Sequence, residues 1–154
     1  MDPITAIGFA ASILQFVQFS ASLVRGAYEI QQSSTGTTAE NAQISNVISD
    51  LQEVTEGLEA DFKGSNKHEK ALLKLAKQCH TVSDDLMKNL GKLTTKDDSK
   101  WESVRVKWAS IRKEKSVASI EKRLSAYSAE LLLRISLMMQ YVAAARLPAD
   151  DADK

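Results

Sequence analysis

His68, Cys79 and His80 are the residues of this 154-residue chain whose types suit nucleophilic or metal-assisted chemistry. Cys79 and His80 are adjacent, so on a helix they point about 100° apart and do not converge on one reacting atom. Cys79 also falls on the apolar stripe of its segment, which places it in a core. Two histidines and one cysteine fall short of the four ligands of a structural zinc site. No phosphate-cradling G-x-x-x-x-G-K-[ST] run and no nucleophile elbow occur. The expectation is a protein without catalytic, metal or cofactor residues, and not an enzyme.

The remaining chemistry is that of binding surfaces. Trp101 and Trp108 lie seven apart, with Val104 and Ile111 on the same helical face. Lys100, Arg105, Lys107, Arg112, Lys113 and Lys115 surround them. Two readings stand: a short core helix with a solvated basic face, or a surface that docks on anionic lipid, where Trp and basic residues meet. Lys63, Lys67, Lys70, Lys74 and Lys77 form a second basic stripe, and Asp50, Glu53, Glu56 and Glu59 on the preceding segment can screen it. The whole chain has zero net charge and no nucleic-acid module, so no nucleic-acid partner is expected. The zero conceals a split. Residues 1–62 carry one Arg against eight acids, a net of −7, and residues 63–115 carry a net of +7.

The elements that must position these residues are helices. Asp2 and Pro3 suit a helix start, and the first helix is expected to run to about Gln32. A loop at 33–38 precedes a second helix capped by Thr37 or Thr38, with Glu40 in its first turn. Its stripe is Ile44, Val47, Ile48, Leu51, Val54 and Leu58, and it is expected to end near Phe62. Asn66 caps a third helix with the stripe Leu72, Leu75, Cys79, Val82, Leu86, Leu90 and Leu93. After a loop at 94–99 come a short fourth helix and a last one capped by Ser116. The last stripe is Val117, Ile120, Leu124, Tyr127, Leu131 and Ile135 or Met138. No segment alternates at period two. The fold class is therefore all-α, a bundle of about four to five helices led by a long hydrophobic one. Residues 1–147 form the domain. Residues 148–154 read as a linker, or as the end left by cutting a domain from a longer protein.

Between Asp2 and Arg25 lie 22 residues without a charge. As a helix they span roughly 33 Å, against a bilayer core of about 30 Å. Thr5, Gly8, Ser12, Gln15 and Ser22 share one arc. The opposite arc is apolar, and Ser20 is its one polar intruder. The first reading is a core helix whose weakly polar side meets water. The second is a helix that packs in a bundle at rest and enters a bilayer on release. Ile4, Ile7, Phe9, Ile13, Leu14, Phe16, Val17 and Val24 then meet lipid. The stripe of Thr5, Gly8, Ser12, Gln15 and Ser22 meets neighbouring copies or lines a pore, and Gly8-x-x-x-Ser12 has the small-xxx-small spacing.

MDPITAIGFAASILQFVQF, Tyr28-Glu29-Ile30, Gly36, Glu40-Asn41 and the later EKRLSAYSAELLLRI resemble the HeLo-like N-terminal domain of fungal STAND (NLR-like) proteins. The resemblance covers most of the chain and is most specific over residues 1–41. It departs at Gln18, where members often carry an acid, and at Ser20, where they often carry Gly. It implies a cell-death effector domain of heterokaryon incompatibility or fungal innate immunity, which oligomerises and permeabilises membranes by inserting residues 3–24. The implied partners are membrane lipids, anionic ones among them, and further copies of the chain. An NLR-type nucleotide-binding module or an amyloid signalling partner is also implied, and neither lies in this chain. The implied location is the cytoplasm at rest and the plasma membrane on activation. A regulatory or adaptor bundle that binds only protein is the alternative.

Overall fold

The structure is a computed structural model that describes residues 3–25, 44–60, 63–93 and 107–145. The protein is an all-α bundle, with no strand among the described residues. Its helices are α1 (Pro3–Arg25), α2 (Ile44–Glu56), α3 (Lys67–Gly91), a short α4 (107–111) and α5 (Lys115–Ala145). The segment from residue 26 to Gln32, the loops at 33–38 and 94–99, and the cap proposed at Thr37 or Thr38 lie outside the described residues. So do Lys100, Trp101, Val104, Arg105 and residues 148–154.

The stripes read for α2, α3 and α5 become buried faces. Ile44, Val47 and Leu51 of α2 join Leu72, Leu75, Cys79, Val82, Leu86 and Leu90 of α3 in the core. Val117, Ile120, Leu124, Leu131 and Met138 of α5 complete it, with Tyr127 and Ile135 half-buried at its edge. Burying one such side chain contributes about 1.5–3 kcal/mol. α3 starts as its residues dictate. The Asn66 side chain accepts the Glu69 N–H at 2.9 Å, and the Glu69 carboxylate accepts the Asn66 N–H at 3.0 Å. This reciprocal capping box satisfies two N–H groups that the first turn leaves without helical partners. Asn66→Ala is expected to cost about 1 kcal/mol, read by urea denaturation.

Two boundaries differ from the expectation. α2 ends at Glu56, not near Phe62. Gly57 follows, and tight turns close the end: Leu58 N–H donates to Thr55 O at 3.0 Å and Glu59 N–H to Glu56 O at 3.2 Å. Leu58 is still buried, delivered by the turn rather than by the helix. Ser116 is not the cap of α5, which begins at Lys115. Glu114 O accepts the N–H groups of Val117 and Ala118, so the helix opens two residues earlier. A run of tight turns precedes it. Arg112 N–H donates to Trp108 O and Glu114 N–H to Ile111 O, which turns α4 directly into α5.

Cross-chain bonds fix the order of packing. Thr55 meets Ser83 at 2.8 Å and, further along, Glu59 meets His80 at 3.5 Å, so the end of α2 and the turn after it run antiparallel to α3. His68 meets Arg134 at 3.1 Å and Asp85 meets Arg123 at 3.4 Å, so α3 and α5 are antiparallel too. Arg25 meets Glu121 at 3.1 Å, which sets the end of α1 beside the start of α5. α1 contacts α2, α3 and α5 and is the central helix.

Candidate functional site

The central helix is the part of the fold that carries unusual chemistry. Ile4–Arg25 is long and apolar enough to cross a membrane, and 44% of its most apolar window is buried in the bundle. Phe9, Ile13, Phe16, Val17 and Val24 of the apolar arc are buried; Ile7 and Leu14 are half-buried, and Ile4 is 61% exposed. On the other arc Thr5, Gly8 and Gln15 are exposed. Ser12 and Ser22 are half-buried. The Ser12 hydroxyl donates to Gly8 O at 3.3 Å, as serines inside helices do. Ser12 also lies against Gly57, where the turn after α2 approaches α1. Ser22, with Gln18, Ser125, Ser128 and Leu132, lines a shallow groove between α1 and α5.

Ser20 is fully buried, and its hydroxyl has no hydrogen-bond partner among the described residues. A buried hydroxyl without a partner costs about 1–3 kcal/mol. Ser20→Ala is therefore expected to stabilise the bundle by about 1 kcal/mol, read as a higher urea midpoint with an unchanged slope.

The C-terminal end of α1 is tied down from outside the helix. The last carbonyls of any helix lack internal donors. Here the Trp108 indole Nε1–H donates to Leu23 O at 2.8 Å, and the Arg112 guanidinium donates to Arg25 O. The Arg25 side chain pairs with Glu121. A cation at this end also complements the helix dipole. Trp108 is 1% exposed, with its N–H already engaged, so its ring is a core group and not a lipid-facing one. Arg112 is half-buried, whereas Lys107, Lys113 and Lys115 are exposed around the same turn. The Lys63, Lys67, Lys70, Lys74 and Lys77 stripe is exposed as well.

Cys79 is buried, and burial pushes its thiol up to about 12. It is expected to resist maleimide in the native protein and to react only after denaturation. His80 approaches Glu59 at 3.5 Å, away from the thiol's buried face. Burial, then the charges of Arg134 and Lys67, hold His68 below the usual histidine value. Among the described residues no group of three or more His, Cys, Asp or Glu is placed to hold a metal ion.

One surface was not legible in the stripes. Leu132, Leu133, Leu137, Met139 and Tyr141 of α5 are exposed, Tyr141 at 68%. The Arg25–Glu121 contact sets the later of these, Leu137, Met139 and Tyr141, toward the end of the bundle where α1 begins, whereas Leu132 lies in the groove beside Val17 and Gln18. These and Ile4 are the exposed large hydrophobics among the described residues. The signal in the sequence is the uncharged run from 135 to 145, which exceeds what one stripe needs.

Fold and site together define an all-α bundle wrapped around a helix of membrane-spanning length. Comparison with protein families, curated proteins and solved structures finds no match for this chain.

Proposed function

We propose that this bundle is a membrane-targeting effector domain of the HeLo-like kind, which oligomerises and permeabilises membranes by inserting α1 in fungal programmed cell death. The observation that carries the reading is α1 itself. It is uncharged over the length of a bilayer core, and the bundle covers less than half of its most apolar window. A charge in hydrocarbon costs several kcal/mol, and residues 3–24 contain none. Ser20 adds support, because its buried hydroxyl burdens the packed state. The exposed apolar end of α5 offers a first contact with a bilayer. In this scheme the domain is cytoplasmic at rest and moves to the plasma membrane on activation, with no catalytic step.

Dye release from vesicles tests the proposal. Purified protein, titrated against phosphatidylserine-containing and neutral vesicles, is expected to release dye steeply with concentration and only from the anionic set. Absence of both release and binding, with the protein forced to oligomerise by a fused partner, would reject it. The exposed leucines of α5 also suit a second reading, an adaptor bundle that associates with protein alone. Concentration-dependent association without any lipid effect would favour that reading.

A further inference from the structure

We propose that Arg112 is a release latch for α1. In the packed bundle it caps the end of α1, and a phosphate-bearing membrane surface draws it away and loosens that end. The inference rests on the membrane reading above and specifies how it is regulated.

Three observations carry it. Arg112 is the charged group that reaches the last described carbonyl of α1, that of Arg25. It sits in the turn between α4 and α5, beside the exposed cations Lys107, Lys113 and Lys115. That cluster complements an anionic surface, and each such cation near the membrane adds attraction that salt weakens. A guanidinium prefers two parallel bonds to a phosphate over a single bond to a carbonyl. The cap and the lipid therefore compete for one side chain. The neighbouring hold on α1 is weak, since the Arg25–Glu121 pair is about half exposed on both sides. The Trp108 bond to Leu23 O lies two residues further in, about half a turn.

Hydrogen exchange of the full chain reads the latch directly. Arg112→Gln without lipid is expected to speed amide exchange over residues 19–25 roughly ten-fold, as losing one charge-assisted bond predicts, while α3 stays unchanged. Arg112→Lys keeps the charge but not the fork and is expected to fall between. The unmodified chain is expected to show the same local acceleration with phosphatidylserine-containing vesicles and none with phosphatidylcholine alone. Equal exchange in Arg112→Gln and the unmodified chain would overturn the latch. So would acceleration spread evenly over α3, which is global destabilisation. Binding to anionic vesicles with no change at residues 19–25 would mean that Arg112 serves lipid and carbonyl together, which also overturns it. If Arg112→Gln opens the end of α1 but no form of the protein binds vesicles, the cap is real, and the membrane function falls together with the switch.

Discussion

Trp108→Ala is expected to remove about 5 kcal/mol from the stability of the bundle. Truncating a buried Trp costs about 3–5 kcal/mol through lost transfer energy and the cavity left behind. The ring is 1% exposed and sits where α4 meets the end of α1. Its loss also strips Leu23 O of its donor, and an orphaned buried acceptor costs about 1–3 kcal/mol. The two contributions share one relaxation and do not add fully. Domains hold about 5–15 kcal/mol in total, so this variant approaches the folding threshold. Trp108→Phe separates the parts. It keeps most of the ring, loses the N–H, and is expected to cost about 1–2 kcal/mol. Urea melts of both variants measure the difference. A Trp108→Ala cost below that of Trp108→Phe would show that the indole is not the anchor described here.

Phe16→Ala carries the second large effect and bears on function as well. Phe16 is fully buried at the middle of α1, so its truncation costs the bundle about 3–5 kcal/mol. In a bilayer the same ring is worth only about 0.3–0.6 kcal/mol at the helix centre. The substitution thus weakens the packed form far more than an inserted one. A two-state balance then moves toward insertion. The expected result is a lower midpoint in urea together with dye release at a lower protein concentration. An adaptor bundle would show the first effect without the second. Dye release that needs more Phe16→Ala protein than unmodified protein would contradict insertion of α1.

Acid provides a gentler probe of the α3 start. The Ser65 hydroxyl, then the backbone N–H groups of Asn66 and Ser65, hold the Glu69 carboxyl below the ordinary range, against the opposing effect of its burial. A lowered folded value means that its stabilisation is complete above the unfolded carboxylate value and is lost as pH falls through the folded one. Glu69→Gln is therefore expected to show a shallower loss of melting temperature on acidification from neutral pH than the unmodified protein.

Much of this fold could be read from residue order alone. Stripes at helical spacing named most of the core of α2, α3 and α5, because a 3.6-residue period allows one face to leave water. Asn66 announced its own helix because a capping box is made within four residues. Ser116 misled for the complementary reason. A capping residue satisfies local donors, but here the Glu114 carbonyl already accepts the first N–H groups of α5, straight out of the turn that ends α4. The basic cluster was also half legible. Its composition marked Arg112 as a surface cation, and only the packing turned its guanidinium onto Arg25 O.

The sequence by itself determined the all-α class, the apolar arcs and the uncharged run of α1, since these follow from composition and period along one chain. Tertiary structure decided what touches α1. It placed α1 at the centre, left the Ser20 hydroxyl without a partner among the described residues, and brought residues some 85 positions apart onto the Leu23 and Arg25 carbonyls. It also left Ile4 and several large apolar side chains of α5 exposed. The physical reason is that periodicity states which side of a helix must be buried, whereas the partner on that side is chosen by packing between elements distant in the chain.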